Sequence, residues 1–283
     1  MNTVDNLLAS LRPDQIGVDL GCGKGSFHYE SFECRILGID VSLRAADLYH
    51  DGSRVAYVCA DSGRIPLADK SVDAVFCHNT MEHFPDYRAT LLEINRVLKD
   101  PGLLWIAVPD GYAFDDSLYR LVFSGGGHVN RFTREGLIAA VHELTRFRLK
   151  QDVALFSGFV YLKKPSAEEY VHFPPSARPL AEIPDGFSAA GVLAINAVTR
   201  LADKMFGSRL SQYGWGFVFA GEETVMAPGD KPRFNVCSRC GSGITAAALR
   251  KRRAARTVFG LGVYRCPHCN QINSFVEPPA GLE

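Results

Sequence analysis

A glycine-rich loop that directly follows a short apolar segment constrains the fold of this chain more than any other feature. Residues 15–20 read QIGVDL, and glycines follow at positions 21, 23 and 25. Glycine permits a tight turn there and lets the backbone approach a ligand closely. The sequence therefore predicts a buried strand that ends in a ligand-binding loop.

Similar apolar segments alternate with helical patterns through the first half of the chain. Short β-branched segments predict strands at residues 15–20, 35–39, 55–59, 72–77 and 103–108. Between the last two strands, apolar residues recur at helical spacing over residues 89–98, and Pro101 and Gly102 end that pattern. This alternation predicts an α/β fold, a parallel sheet with helices on both faces and ligands at the carboxyl ends of the strands.

The glycine loop differs from the fingerprint of dinucleotide-binding proteins. That fingerprint, Gly-x-Gly-x-x-Gly, requires glycine at position 26, where this chain has Ser26, and an acid, Asp19, precedes the loop. A ligand with a cation and an amino group suits this acid better than a pyrophosphate does. The segment VDLGCGKGSF at residues 18–27 resembles the first motif of the class I S-adenosylmethionine-dependent methyltransferases, in particular the methyltransferase type 11 group.

Further segments resemble that family in the same order along the chain, including LGIDVS at residues 37–42 and PLADKSVDAVF at residues 66–76. The resemblance implies a Rossmann-like seven-stranded methyltransferase sheet and S-adenosylmethionine as cofactor. The loop would hold the amino-acid part of the cofactor, Asp40 the ribose hydroxyls, and Asp61 the side next to the adenine. The implied cofactor-binding residues are Asp19, Gly21, Cys22, Gly23, Gly25, Asp40, Val41, Asp61, Ser62 and His78.

Two histidines are candidate catalytic residues. His83 lies in a Met-Glu-His-Phe segment that resembles one common in the family, and His128 lies in a Gly-His segment that precedes the family's last large helix. Thr133 is the predicted N-cap of that helix. A base is required only if the methyl acceptor is a hydroxyl. For His128, the alternative is a histidine that only forms hydrogen bonds within its loop.

The sequence between residues 147 and 220 predicts two more strands and a helix. Residues 147–155 indicate a sixth strand and residues 213–220 a last strand, with residues 158–163 as the competing choice for the last strand. The resemblance to the methyltransferases implies that this last strand is antiparallel and inserts beside the fifth. Apolar residues recur at helical spacing from Ala194 to Met205, and Gly207 suits the end of the helix. Residues 156–212 are therefore interpreted as an elaboration before the last strand.

Four of the eight cysteines form two Cys-x-x-Cys pairs near the C-terminus: Cys237, Cys240, Cys266 and Cys269. Four thiolates complete the tetrahedral coordination of a zinc ion, so the pairs predict a structural zinc site and resemble a zinc ribbon. A redox pair is the alternative, but it requires only one Cys-x-x-Cys. The 25-residue spacer leaves room for a helix, predicted at residues 244–256.

Charge separates the C-terminal region from the rest of the chain. Residues 231–283 carry nine Lys and Arg against two Asp and Glu, about +7, and the remaining residues carry 22 against 29, about −7. We therefore predict a methyltransferase domain over residues 1–230 and a basic zinc-ribbon-like module over residues 231–283. The basic run at residues 250–253 either binds RNA phosphates or is a solvated helix face.

The leading functional hypothesis is a methyltransferase that acts on a small metabolite or a glycan. An RNA methyltransferase guided by the basic zinc module is one alternative, and a non-catalytic regulator that binds the cofactor is another.

The most apolar segment, residues 191–206, contains Arg200, Asp203 and Lys204, so no membrane insertion is expected. The N-terminus lacks the pattern of a signal peptide, and reduced thiols suit a cytoplasmic location, which we expect. The sequence does not indicate the oligomeric state.

Overall fold

The computed structural model describes residues 3–43, 54–166, 173–226, 231–251, 256–258 and 261–282. A seven-stranded sheet forms its centre, with the strand order β3-β2-β1-β4-β5-β7-β6. The strands are β1 Ile16–Leu20, β2 Arg35–Asp40, β3 Val55–Cys59, β4 Val72–His78, β5 Leu98–Pro109, β6 Arg148–Phe156 and β7 Gln212–Ala220. Strands β1 to β5 pair in parallel. The α/β class and the seven-stranded sheet expected from the sequence are confirmed.

Seven α-helices are present in the described part of the chain. They are α1 Thr3–Ser10, α2 Tyr87–Val97, α3 Phe114–Val122, α4 Arg134–Leu144, α5 Pro179–Glu182, α6 Asp185–Phe206 and α7 Ala246–Lys251. The predicted N-cap of α4 is confirmed, because the side chain of Thr133 accepts a hydrogen bond from the Gly136 amide. Gly207 ends α6 with a φ of 65°, as its position after the apolar pattern predicted.

The last strand is the one that the aromatic segment near residue 215 predicts. Strand β7 lies between β5 and β6, and the competing segment instead contains a short 3₁₀ turn at Val160–Leu162. Aromatic residues favour strands because they pack well on a pleated, half-buried surface. In β7, Phe217 and Phe219 are fully buried and belong to the apolar core of the sheet.

The chain divides into two compact units. The first unit comprises residues 1–109, 129–153 and 215–230 and contains most of the sheet. The second comprises residues 110–128, 154–214 and 231–283, so it groups the cysteine-rich region with the segment before β7. The predicted domain boundary at residue 230 stays a prediction, since compactness does not test whether the last 53 residues fold alone.

The cysteine-rich region is built from short strands. They are β8 Asn235–Val236, β9 Gly243–Ile244, β10 Arg256–Val258, β11 Leu261–Arg265 and β12 Ile272–Val276. Strands β8 and β9 form one antiparallel pair, and β10 to β12 form an antiparallel sheet. The prediction of a helix over residues 244–256 was wrong at both ends. Ile244 pairs with Asn235 and Arg256 with Val263, so strand pairing overrides helix propensity at these positions.

None of the helices in the described ranges is long and apolar enough to cross a bilayer.

Candidate functional site

A cavity of about 420 Å³ opens in the first unit where β1 and β2 end and the chain leaves β3 and β4. Ligands of parallel sheets bind at this edge, since the loops that leave the strands converge there. The cavity is lined by Leu20, Gly21, Ile39, Asp40, Val41, Ala60, Asp61, Ser62, Asn79, Thr80, His83, Phe84 and Pro85. Six of these were predicted as site residues from the sequence, and they come from four separate segments.

The glycine loop is held against the end of β2. Gly21 has a φ of 77°, and a Cβ atom there would lie 2.8 Å from the side chain of Thr80, so only glycine fits. Gly23 also has a positive φ, and its amide donates a 2.9 Å hydrogen bond to Asp40 Oδ2. Nothing lies within 4 Å of the place where a Cβ of Gly23 would stand. At Gly23 the loop therefore exposes backbone atoms, without a side chain, at the edge of the sheet.

Asp19 lies in β1, just before this loop, and does not line the cavity. Its carboxylate accepts hydrogen bonds from the amide and hydroxyl of Ser26 and a 2.5 Å bond from the hydroxyl of Tyr29. Burial raises the pKa of Asp19, although these three donors act against that shift. The structure thus gives Asp19 a part in shaping the loop. Burial also raises the pKa of the neighbouring Cys22 thiol to about 12, which keeps it protonated and inert.

Two carboxylates lie in the cavity lining at the ends of adjacent strands. Asp40 ends β2, and its oxygens accept hydrogen bonds from the amides of Gly23 and Ser42. Asp61 follows β3, is exposed, and accepts a 2.7 Å hydrogen bond from the amide of Gly63. Each bond fixes a carboxylate in one orientation without using all of its acceptor positions. Ser62, by contrast, is buried and shares a 2.9 Å hydrogen bond with the Thr90 hydroxyl.

His78 lies away from the cavity lining, packed between two aromatic rings. It stacks on Trp105 and meets Phe27 edge to face, and its Nδ1 accepts a 3.3 Å hydrogen bond from Trp105 Nε1. Burial lowers its pKa to about 4, so the ring is neutral near pH 7. Successive side chains of a β-strand point to opposite faces of the sheet. The cavity is lined by the residues that follow β4, and His78 at the end of β4 points away from it.

His83 and His128 occupy different units. His83 lines the cavity of the first unit, and its Nε2 lies 4.0 Å from the carboxylate of the buried Glu82. His128 belongs to the second unit, where its Nδ1 lies 2.7 Å from Asp116 Oδ1 and its ring stacks on Tyr119. Asp116 was not predicted from the sequence, because an acid twelve residues away gives no local signal.

Asp116 holds His128 in a small network within the second unit. The same carboxylate accepts a 2.5 Å hydrogen bond from Arg120 Nε, four residues later on α3. Burial alone would raise the pKa of Asp116, but the hydrogen bonds from His128 and Arg120 lower it. The carboxylate therefore stays ionised and orients the imidazole, which is the arrangement that both a structural and a catalytic histidine require.

Asn79 and Thr80 also line the cavity, although neither was among the cofactor-binding or catalytic residues predicted from the sequence. Asn79 adopts a positive φ of 55°, and Thr80 donates a hydrogen bond from its hydroxyl to the Leu20 carbonyl. They connect the end of β4 to the end of β1. The sequence signal that could have identified them is an asparagine directly after a strand, since asparagine adopts the left-handed conformation of such turns more readily than most residues.

The four paired cysteines come together in the second unit. Their Sγ atoms all lie within 4.8 Å of one another, with 3.6 Å between Cys237 and Cys269 and between Cys240 and Cys266. Gly241 and Asn270 follow the two pairs with positive φ angles, a conformation that both residue types adopt readily. A tetrahedron with Zn–S bonds of about 2.3 Å has sulfur–sulfur edges of about 3.8 Å, so these distances suit one zinc ion.

Comparison with known proteins agrees with the geometry of the first unit. Residues 18–106 match the model of a family described as "Methyltransferase domain". This chain carries a methyltransferase domain. The match agrees with the class I, S-adenosylmethionine-dependent type expected from the glycine loop, and the matched residues contain the strands and loops that form the cavity.

Relatives of this methyltransferase domain act on different acceptors. The chain is 32% identical over 127 residues to a malonyl-[acyl-carrier protein] O-methyltransferase of Hahella chejuensis, which covers 41% of this chain and 44% of that protein. It is 36% identical over 90 residues to a 25S rRNA (adenine-N(1))-methyltransferase of Schizosaccharomyces pombe, which covers 31% and 26%. The chain spans less than half the length of the curated relatives it matches.

A solved structure has the same fold. It is a methyltransferase from an antibiotic biosynthesis pathway of Anabaena variabilis, with a TM-score of 0.50 and 16% identity over 77% of this chain and 94% of that one. At this identity the likeness concerns the fold alone.

Proposed function

We propose that this protein is an S-adenosylmethionine-dependent methyltransferase whose cofactor occupies the cavity at the carboxyl ends of β1 to β4. The observation that carries the proposal is the convergence of Gly21, Asp40 and Asp61 on one cavity from three different strand ends. Glycine loops and strand-end carboxylates bind nucleoside ligands in parallel sheets, because such loops offer amides and such acids accept hydroxyl protons. The cofactor-binding roles of Asp19, Cys22, Gly23 and Gly25 stay predictions, and the hydrogen bonds of Asp19 to Ser26 and Tyr29 support an added role in shaping the loop.

The cavity fits the proposed cofactor in size and in chemistry. Its volume of about 420 Å³ lies within the range of roughly 300–1,000 Å³ typical of small-molecule sites. It combines two carboxylates with apolar surface from Leu20, Ile39 and Phe84. Carboxylates suit a ligand that carries a sulfonium cation and hydroxyl groups, and apolar surface suits an adenine ring. The role of His78 as a cofactor-binding residue stays a prediction.

S-adenosylmethionine, when bound, supplies an electrophilic methyl group on a positively charged sulfur. The residues of the chain bind and orient: Asp40 accepts hydrogen bonds from hydroxyl groups, and Asp61 binds beside the base. Holding both reactants in line removes much of the entropic barrier to transfer. His83, which lines the cavity, is the proposed proton acceptor if the acceptor is a hydroxyl, and His128 is the second candidate.

For the acceptor, we propose a small metabolite or a glycan. The resemblance to type 11 methyltransferases supports this choice. The alternative is an RNA acceptor guided by the basic C-terminal region. Arg250 of that region forms an ion pair with Glu277, which compensates one of its charges, and residues 252 and 253 lie outside the described ranges. Transfer of label from methyl-labelled S-adenosylmethionine to RNA, but not to glycan or metabolite fractions, would overturn the proposed acceptor class.

Calorimetric titration with S-adenosylmethionine tests the cofactor site. We expect Asp40→Ala to weaken binding about 10- to 100-fold, since hydrogen bonds to charged acceptors contribute about 1.5–3 kcal/mol. Asp14→Ala is the matched control, because Asp14 is exposed, does not line the cavity and forms an ion pair with the neighbouring Arg12. Unchanged affinity in Asp40→Ala, or no binding by the natural protein, would contradict the proposal.

We propose, in addition, that Cys237, Cys240, Cys266 and Cys269 bind a structural zinc ion. The sulfur positions support this role, as do the hydrogen bonds that the Arg239 amide and the Asn273 side chain donate to Cys237 Sγ. With four protein ligands the metal has no open position for a substrate, so we assign it no part in the transfer.

A further inference from the structure

The longest helix of the second unit carries its polar residues on the buried side. Among residues 186–202 of α6, Arg200 is the only charged residue, and it is 1% exposed. The buried residues of α6 are Ser188, Val192, Asn196, Thr199, Arg200 and Asp203. A surface helix normally has the opposite arrangement, with its apolar stripe toward the core. Here the polar groups bond to the protein, and the outer face is left apolar.

The inner side of α6 explains why polar residues are buried there. Arg200 donates hydrogen bonds to the carbonyls of Ser157 and Phe234, and Asn196 donates one to the carbonyl of Gly158. Asp203 accepts four hydrogen bonds, from the amides of Leu210 and Ser211 and from the hydroxyls of Ser208 and Ser211. Packing against backbone polar groups therefore accounts for the inner face, but it gives no reason for an uncharged outer face.

The outer face of α6 is an apolar stripe in which Gly191 and Ala194 lie between the larger side chains. Residues at 187, 191, 194, 198, 201 and 205 recur every three or four positions and are all apolar, which places them on one side of the helix. Phe187 is 76% exposed, Val198 65%, Met205 64% and the adjoining Phe206 83%. Large apolar side chains exposed on one face make this stripe a candidate interaction surface, because the largest apolar patch on a monomer, roughly 300–600 Å², is often functional.

We infer that this outer face of α6 binds the surface of an anionic lipid bilayer. The helix lies in the plane of the interface without crossing it, in the manner of amphipathic helices of peripheral proteins. The charges at its C-terminal end fit such a surface. Lys204 and Arg209 bracket Met205 and Phe206, and the nearby Asp203 is buried and hydrogen-bonded to the chain. Anionic headgroups attract these cations while the apolar side chains enter the acyl boundary.

The size of the stripe favours a bilayer over a second copy of the chain. A helix of 22 residues is about 33 Å long, and a face about 10 Å wide on it covers roughly 330 Å². A stable protein–protein interface buries about 800 Å² on each partner. The stripe thus supplies less than half of a dimer interface. A bilayer surface imposes no such minimum, since it accepts apolar side chains one by one.

Flotation of the full-length protein with vesicles of phosphatidylglycerol and phosphatidylcholine tests the inference. We expect the natural protein to float with these vesicles, less so at high salt, and Val198→Asp to reduce the bound fraction at least about 10-fold. Val225→Asp is the matched control, because it places the same charge on an exposed valine of the first unit, and it should bind as the natural protein does.

Two results would overturn the inference. One is a natural protein that fails to float, and the other is equal binding by Val198→Asp and Val225→Asp. A dimer in analytical ultracentrifugation that Val198→Asp dissociates, without vesicle binding, would assign the face to a second copy instead. Circular dichroism checks folding, and Phe187→Ser replaces Val198→Asp if the latter unfolds. The assay contains no S-adenosylmethionine, so its outcome is independent of the proposed activity.

Discussion

The two compact units use their buried positions differently. The first unit has an apolar core in which Val18, Leu20, Val75 and Ile106 are essentially fully buried, with polar groups concentrated at the strand ends. The second unit buries many more polar side chains away from any cavity lining, with Arg200 the largest of them. The first unit is therefore held by apolar burial, and the second by specific hydrogen bonds and, as proposed, by zinc.

This difference determines how easily each unit is interpreted from sequence. Apolar strands and glycine loops produce local patterns, because each pattern reflects the periodicity of one element. Buried hydrogen bonds leave no such pattern. In the second unit, Asn273 accepts hydrogen bonds from both the amide and the hydroxyl of Ser238, 35 residues away. Such pairs become visible only when the chain is folded.

Removal of a proposed zinc ligand should have the largest effect. It should destabilise the second unit and distinguish that unit from the first. We expect Cys266→Ser to abolish stoichiometric zinc and to expose the amides of β11 and β12 to hydrogen exchange. Structural zinc sites contribute about 10 kcal/mol or more to the folding of small metal-binding modules. Metal content and exchange rates are the measurements.

Cys34→Ser is the control for that experiment, because Cys34 is a buried single cysteine of the first unit. It should retain one zinc per chain. A Cys266→Ser protein with full metal content and unchanged exchange would exclude the zinc site.

Substitution of the buried arginine should have the next largest effect. Arg200→Met would leave the carbonyls of Ser157 and Phe234 without their donor, so we expect the second unit to lose about 3 kcal/mol of unfolding free energy. Denaturant titration followed by hydrogen exchange measures the loss unit by unit. Arg178→Met, at an exposed position of the same unit, should change little. An equal loss of protection in both units would show that they unfold together.

A pH-dependent effect is expected from His78 in the first unit. Burial lowers its pKa to about 4, below the value of about 6.5 in an unfolded chain, so the unfolded state binds the extra proton first. The contribution of neutral His78 to the free energy of unfolding is therefore fully present above about pH 6.5. It decreases by up to about 3 kcal/mol as the pH falls toward 4.

The comparison with His78→Gln isolates this contribution, because a glutamine side chain can still accept the hydrogen bond from Trp105. The difference in unfolding free energy between the natural protein and His78→Gln should be largest at neutral pH. It should become smaller as the pH falls from about 6.5 to about 4. A constant difference across this range would show that His78 is not the titrating group.

Most of the fold was predictable, because its elements are encoded locally. Five strands, the N-cap at Thr133 and the position of β7 followed from apolar spacing, one hydroxyl side chain and an aromatic segment. The helix predicted over residues 244–256 was wrong at both ends, since strand pairing at Ile244 and Arg256 depends on partners elsewhere in the chain, whereas its middle is helix α7. Helix propensity carries no information about those partners.

The candidate site was predictable in its parts but not in its arrangement. The strand-end positions of Asp40 and Asp61 follow from chain order alone. That Asp19 bonds to Ser26 and Tyr29 within the loop, and that His78 packs on Trp105, depends on side-chain directions that spacing does not reveal. Thr80 and Asn79 line the cavity because β4 lies next to β1, a neighbour relation that the sequence does not state.

By itself, the sequence determined that this chain forms a parallel α/β sheet with a glycine loop and carries four paired cysteines. Local periodicity and short-range turn chemistry suffice for those features. Only the tertiary structure decided which acids share one cavity, that the cysteine-rich region packs in one unit with α6, and which face of α6 is exposed. The physical reason is that burial and hydrogen bonding depend on contacts between distant segments, which exist only once the chain has folded.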